Sequence, residues 1–163
     1  MTLAPTSRSL QSMCNLYKLK NMSREVAATF GARDAAVNSN HGAEVYPGTP
    51  GLVVAEGEVR QMNWGFPLAL TGKKGRALKP RPVNNARTDK LRGPFWRDSD
   101  EWGPCYSMVT TEASAAVEAV HHRMPMILPR DLWPDWTSAD TKEGFERCAP
   151  WVGQLTIKRT DEG

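Results

Sequence analysis

The sequence has little cysteine, and this scarcity excludes two kinds of small scaffold. Its 163 residues contain three cysteines, Cys14, Cys105 and Cys148, and no two of them form a Cys-x-x-Cys pair. An odd number without paired spacing does not support a disulfide framework or a zinc site. No other metal or organic cofactor is indicated. We therefore expect a protein of the reducing cytoplasm.

Long apolar runs are also missing. No stretch approaches the roughly 20 apolar residues of a membrane-spanning helix, and residues 1–12 lack the apolar centre of a signal peptide. We expect no membrane association. Residues 1–12 are interpreted as a disordered leader, a tag remnant or a misassigned start. Residues 13–163 are enough for one monomeric domain with a real core.

Acidic residues are scarce in one segment. Between its first and last cation, this segment holds eight basic residues against Asp89 alone, although the whole chain has a net charge of only +3. The eight are Lys73, Lys74, Arg76, Lys79, Arg81, Arg87, Lys90 and Arg92. Such a concentration fits a phosphate-backbone ligand, with Lys79 and Arg81 as candidate contacts, or a solvated basic loop. Charge alone does not decide between them.

The remaining pattern predicts short elements of both kinds. Gly and Pro mark residues 71–82 as a long loop. Elsewhere, capping residues predict a helix over 24–30, with Ser23 as its N-cap and Gly31 as its stop. Apolar runs predict two strands over 52–55 and 59–64, joined by a turn at 56–58. Further along the chain, we predict a strand over 105–111, a helix over 112–120 and a last strand over 151–159.

The pair Met13-Cys14 carries the clearest chemical signal. If Met13 is removed as a start methionine, Cys14 presents an α-amine and a thiol, with pKa values of about 8 and about 8.5. The amine can condense with an aldehyde to a Schiff base, and the thiol can then close a thiazolidine ring. Lysine can perform only the first step. Taken alone, Cys14 is more simply an ordinary buried thiol.

The order of several short motifs favours a chemical role for Cys14 over that of an ordinary buried thiol. They are Met-Cys-Asn-Leu-Tyr at 13–17, Tyr-Pro-Gly-Thr-Pro at 46–50, Trp-Gly-Phe-Pro at 64–67, Asn-Ala-Arg-Thr at 85–88, Pro-Phe-Trp-Arg at 94–97, Thr-Thr-Glu-Ala at 110–113 and His-His-Arg-Met-Pro at 121–125. This series resembles the SRAP family, the SOS response-associated peptidase-like proteins, over residues 13–136.

The resemblance implies a fold and an activity. The fold is a single α+β domain with a curved, barrel-like, mostly antiparallel sheet and short flanking helices. The activity is binding of single-stranded DNA and covalent capture of abasic sites in the DNA damage response, with peptidase and lyase-like chemistry. Cys14 matches the nucleophile, Asn85 an orienting residue and His121 a proton-transfer residue. Arg87 matches a phosphate contact, and Trp64 an aromatic residue near the DNA groove.

The chain departs from the family in three places. Cys14 is preceded by thirteen residues, which would block its amine if they are retained. Asn15-Leu16 replaces a usual Gly-Arg pair. A block that carries the family's glutamate and central strands is missing before Cys105. Glu101-Trp102 resembles part of that block, but we assign it to the loop entering the next strand, and whether Glu101 replaces the glutamate stays open.

Four functions therefore remain open. The first is an active protein that crosslinks to abasic sites. The second is a degenerate SRAP-like domain that binds DNA without chemistry. The third is a cysteine peptidase that acts on its own leader through a thiol–imidazole pair of Cys14 and His121. The fourth, outside the family, is a small binding domain with a basic loop.

Overall fold

The computed structural model describes residues 15–37, 42–96, 102–138 and 141–157. These residues form short β-strands and short α-helices. The strands are β1 Tyr17–Lys18, β2 Arg33–Asp34, β3 Glu44–Val45, β4 Pro50–Ala55, β5 Glu58–Trp64, β6 Phe66–Thr71, β7 Ala77–Val83, β8 Asn85–Arg87, β9 Cys105–Tyr106, β10 Met108–Glu112 and β11 Arg123–Pro125. The helices are α1 Ser23–Phe30, α2 Ala115–Glu118, α3 Trp133–Ser138 and α4 Thr141–Glu146.

Helix α1 follows the sequence prediction except at its first residue. Met22 is the N-cap, and its backbone N–H donates to the Glu25 carboxylate at 2.8 Å. Ser23 was predicted to cap the helix, but its hydroxyl instead donates to Asp34 at 2.9 Å. Gly31 ends the helix in the left-handed region, with φ of 61°, as predicted.

The β4–β5 hairpin is confirmed and organises the largest sheet. Its turn residues Glu56 and Gly57 both have positive φ, 51° and 72°, a backbone that matches the natural twist of paired strands. Strand β5 pairs antiparallel with β4 and parallel with β2 and β9. Val59 of β5 is buried with Ala27 of α1, so the helix covers this sheet.

The basic segment is not the long loop that its composition predicts. Strand β7 pairs antiparallel with β6 from Phe66↔Val83 to Thr71↔Ala77, with an irregularity between Leu68 and Leu70. The glycine and proline residues of this segment disfavour a strand, but the apolar strand β6 supplies a pairing partner, and pairing outweighs that local preference. Pro80 and Pro82 lack N–H donors, and a two-stranded ribbon tolerates them since its outer edges make no ladder bonds.

Strands β8, β10 and β11 form a third sheet beside the basic ribbon. Asn85 of β8 lies opposite Met108, and Thr111 of β10 lies opposite Met124. The Thr110 and Thr111 side chains are buried in this sheet. The predicted strand over 105–111 is thus divided into β9 and β10, which join different sheets.

The α+β class with mostly antiparallel sheets is confirmed, although the described strands lie in four separate sheets and form no closed barrel. The helix predicted over 112–120 is confined to α2. The predicted last strand is wrong for residues 151–157, which form no strand. Its apolar residues find no sheet edge, and Val152 is 99% exposed. None of the described helices combines the length and apolar character needed to cross a membrane.

Candidate functional site

A polar cleft opens where β7 meets β8. Its volume is 310 Å³, and its lining residues come from the start of the described chain, the turn before β4 and the β7–β8 junction. They are Asn15, Pro47, Arg81, Pro82, Val83, Asn84 and Asn85. Two of the predicted site residues, Arg81 and Asn85, therefore share one cleft with the residue that follows Cys14. We call it the Asn85 cleft.

A second cleft of 430 Å³ adjoins the first, since both are lined by Pro47 and Pro82. Lys79, Asn63 and Trp102 also line it. Strand β7 therefore contributes one predicted DNA-contacting cation to each cleft, Lys79 here and Arg81 in the Asn85 cleft. The Trp102 carbonyl oxygen accepts a hydrogen bond from the Asn63 side-chain amide at 3.0 Å, which connects the two sides of this second cleft.

Pro82, which lines both clefts, lies directly against Gly65. Gly65 has φ of 114°, a region that L side chains rarely adopt. A Cβ atom at this position would also lie 2.7 Å from Cβ of Pro82. The β5–β6 junction can pass directly beneath Pro82 only because residue 65 is a glycine.

Trp64 is buried against the junction between β7 and β8. It is 0% exposed, and its indole Nε1 donates to the Asn84 carbonyl at 3.0 Å. Its ring contacts Tyr17 edge-on, at 5.1 Å between centroids, and stacks on Tyr106 at 6.4 Å. The ring offers no accessible face on which a base could stack, and the expected place of Trp64 near the DNA groove stays a prediction.

A tyrosine pair fixes the start of the described chain next to Trp64. The hydroxyls of Tyr17 and Tyr106 lie 2.5 Å apart. Burial raises the pKa of Tyr17 and of Tyr106 above the usual range, so both stay protonated and form a neutral hydrogen bond. Strand β1 begins at Tyr17, so the pair holds Asn15, two residues earlier, at the edge of the Asn85 cleft.

Arg87 lies outside the lining of both clefts. Its side chain is 58% exposed, and its Nε and Nη2 donate to the two Asp89 carboxylate oxygens at 2.9 Å each. These bonds lower the pKa of Asp89, so this carboxylate remains ionised at neutral pH. A phosphate must therefore compete with Asp89 for the guanidinium.

His121 is not brought next to Asn85 by the strand register. Its Nδ1 accepts the Arg123 backbone N–H at 2.9 Å, and its ring stacks on His122 at 4.3 Å. The neighbouring His122 carbonyl accepts from the N–H of Ala113, whereas Asn85 pairs with Met108. Ala113 lies one residue past the end of β10 and Met108 begins it, a difference of five residues, or about 16 Å of extended backbone.

Two residues of the sequence interpretation, Cys14 and Glu101, lie outside the described residues. Of the other cysteines, Cys148 has a thiol pKa that burial raises, which disfavours the reactive thiolate. Among the residues that the structure describes, no three His, Cys, Asp or Glu side chains are grouped closely enough to hold a metal ion.

Sequence reasoning missed Asn63 and Pro47 as cleft-lining residues and gave Trp102 no role. No local pattern distinguishes them, since Asn63 lies in a strand and Trp102 in a loop 39 positions later in the chain. They meet only because β9 pairs with the end of β5.

Comparisons with known proteins agree with the resemblance and the fold. The model of the SRAP family, SOS response associated peptidase, matches residues 92–158. A crystal structure of a protein from Bacteroides thetaiotaomicron superposes with a TM-score of 0.61 at 17% identity, covering 85% of this chain and 88% of that chain. No curated protein gives a significant match. The SRAP resemblance is thus confirmed over residues 92–158, and the structural likeness shows a shared fold.

Proposed function

We propose that this chain, as an SRAP-type protein, binds single-stranded DNA and captures abasic sites through a thiazolidine formed by Cys14. Residues 1–13 must be absent for the α-amine to be free. The observation that carries the proposal is the Asn85 cleft, which brings Asn15, Arg81 and Asn85 together. Asn15 is bonded to Cys14, and adjacent Cα atoms lie about 3.8 Å apart. The residue that follows the proposed nucleophile therefore lies at this cleft.

The cleft suits an abasic nucleotide by size and charge. A baseless sugar is small and polar, and the 310 Å³ cleft is lined by three asparagine residues and one arginine. Arginine can grip a phosphate with two parallel N–H donors. A nucleotide without a base also costs little to unstack, which favours the lesion over intact strand.

The proposed reaction removes one water. The ring-closed sugar first opens to its aldehyde. The Cys14 amine adds to the aldehyde carbon, and loss of water gives a Schiff base. The thiol sulfur then bonds to the same carbon, and its proton ends on the ring nitrogen. We assign Asn85 to orienting the sugar oxygen or the amine by hydrogen bonding.

The test compares two versions of the chain, one beginning at Met1 and one at Met13. Each is incubated with single-stranded DNA that carries one abasic site, and the intact mass is read. We expect the DNA adduct only from the Met13 version with Cys14 exposed. If that version is folded, has Cys14 as its first residue and gives no adduct, the covalent chemistry is wrong.

Arg87 and Asp89 offer a paired prediction on binding. Arg87→Ala should weaken binding to all sequences and reduce the slope of log affinity against log salt by about 0.7, the value for one phosphate contact on a single strand. Asp89→Asn should have the opposite effect, because it releases the guanidinium. Fluorescence anisotropy with a stable abasic analogue measures both. An unchanged slope in Arg87→Ala removes this residue from the phosphate contacts.

A second candidate function is DNA binding without chemistry. The backbone partners of Asn85 and of His122, the neighbour of His121, are Met108 and Ala113, which lie about 16 Å apart along extended backbone. This spacing favours the second candidate, since a proton-transfer residue must reach the reacting atoms. The peptidase alternative requires contact between His121 and Cys14, and Cys14 lies outside the described residues.

His121→Gln distinguishes a catalytic from a structural role. If His121 transfers a proton, the rate of adduct formation should fall by about 10²-fold or more, and affinity for the stable analogue should change much less. Single-turnover adduct formation and anisotropy give the two values. Equal losses in rate and affinity would assign His121 to structure and support the second candidate.

A further inference from the structure

The β6–β7 hairpin carries charge of one sign only. Residues 66–83 contain five basic residues and no acidic one. All five side chains are exposed, and they are Lys73, Lys74, Arg76, Lys79 and Arg81. In the described part of the chain, no carboxylate forms an ion pair with any of them. Each is therefore available to an anionic partner.

The five cations divide into two groups by position. Lys79 and Arg81 line the two clefts. The other three, Lys73, Lys74 and Arg76, occupy the turn between β6 and β7, which we call the hairpin tip. The proposed chemistry uses the clefts and leaves the tip without a role.

The tip is an ordered turn. The Gly72 N–H donates to the Arg76 carbonyl at 2.8 Å, which closes the turn. Lys74 and Gly75 both have positive φ, 61° and 76°. A lysine in this region is uncommon, and the closed turn holds it there. Three cations are thus fixed within four residues, at the end of a ribbon that pairs with no other described strand.

The tip lies before the start of β7, whereas the lesion cleft lies at the end of β7. Arg81 lies four residues from Ala77, where β7 begins, or about 13 Å at ~3.3 Å per residue. A DNA strand covers this distance in roughly four nucleotides at a rise of ~3.4 Å, and in fewer when extended. A strand that followed β7 from the Asn85 cleft would therefore place at the tip phosphates several nucleotides away from the abasic site, and not the phosphates next to it.

We propose that the hairpin tip is a second phosphate-binding site, which holds the captured strand several nucleotides away from the abasic site. This inference rests on the proposed function. Its physical basis is counterion release, because each phosphate neutralised by a lysine or arginine frees condensed cations. The tip then adds affinity for longer strands without contributing to the chemistry.

The test is a length comparison with a triple variant, Lys73→Gln/Lys74→Gln/Arg76→Gln. The probes are single strands of about 20 and about 3 nucleotides, each with one tetrahydrofuran abasic analogue at its centre, so that the short strand is too short to reach the tip, and both are titrated over a range of salt. On the long strand, the slope of log affinity against log salt should be smaller by about 2 in the variant, because three phosphate contacts contribute about 0.7 each. On the short strand its Kd should stay within about twofold of the parent.

A matched control removes the same charge elsewhere. Lys20→Gln/Arg24→Gln/Lys142→Gln changes three exposed cations outside the hairpin and should keep the parent's slope on both strands. Equal losses of the tip variant on both strands, or the same loss in the control, would show a general charge effect and overturn the tip site. No loss on the long strand would also overturn it.

The outcomes for the two proposals are separable. Parent protein that forms adducts with short abasic strands supports the proposed function, whatever the tip variant does. If the parent forms those adducts but its affinity does not depend on the tip, only the second phosphate site is wrong. Parent protein that binds neither strand contradicts the proposed function and the tip site together.

Discussion

Cys14→Ala, in the version beginning at Met13, should reduce the denaturation-resistant DNA adduct to below about 1% of the parent's. The alanine keeps a free α-amine but has no thiol to close the ring, so only a reversible Schiff base can form. Affinity for a stable abasic analogue should remain within about twofold, because binding uses the clefts and not the sulfur. Denaturing gels and intact mass read the adduct, and anisotropy reads binding.

Two other cysteines provide matched controls for this result. Cys105→Ala and Cys148→Ala remove a thiol each and should crosslink like the parent. Cys148 is disfavoured as a nucleophile because burial raises the pKa of its thiol. Crosslinking by Cys14→Ala at the parent's level would show that another residue is the nucleophile.

Borohydride reduction separates the two bond-forming steps. In Cys14→Ala, reduction during incubation should trap the Schiff base as a stable secondary amine and restore a covalent product. In the parent, the thiazolidine should form without reductant. A variant that gives no product even with borohydride would place the failure at amine access, as expected if residues before Cys14 are retained.

Trp64→Ala should lower the free energy of unfolding by about 3–5 kcal/mol, the range for large-to-small changes of a buried aromatic residue. The ring is 0% exposed and packs between Tyr17 and Tyr106. The total free energy of unfolding of a typical domain is only about 5–15 kcal/mol. We therefore expect the variant to be partly unfolded or close to unfolding. Urea denaturation followed by circular dichroism measures the loss.

Trp64→Phe and Trp102→Ala make this prediction specific. Trp64→Phe keeps an apolar ring and loses the bond to the Asn84 carbonyl, which still accepts the Met108 N–H at 2.9 Å, so we expect a cost of about 1 kcal/mol from that bond. Trp102 is only half-buried, and Trp102→Ala should cost less than Trp64→Ala. A stable Trp64→Ala protein with weakened DNA binding would contradict the buried role and restore Trp64 as a DNA contact.

Local elements were predictable where local chemistry alone dictates them. Gly31 ends α1 because a left-handed residue is needed there, and Glu56-Gly57 forms the β4–β5 turn because both positions require positive φ. The loop predicted over residues 71–82 is confined to the turn at 72–76, and the prediction was wrong for residues 77–82, because strand formation there depends on a partner, β6, whose position no local pattern reveals.

The candidate site, like the fold, could be predicted from the sequence only in part. The Asn-Ala-Arg motif pointed to Asn85, and the charge pattern pointed to Arg81 and Lys79, which line adjoining clefts. The sequence could not show that Arg87 would be held by Asp89, or that Trp64 would be buried. Those outcomes depend on side-chain direction and packing, which a motif does not encode.

The sequence by itself determined the α+β class, the likeness to the SRAP family, the basic segment and the identity of the candidate nucleophile, because composition, motif order and turn chemistry are properties of neighbouring residues. Only the tertiary structure decided which of those residues share a surface. Strand pairing folds the basic segment into a ribbon, joins Asn15 and Asn85 across one cleft, and leaves His121 at the far end of β10. Pairing depends on contacts between distant parts of the chain, whose hydrogen bonds and burial outweigh the local preferences on which sequence patterns depend.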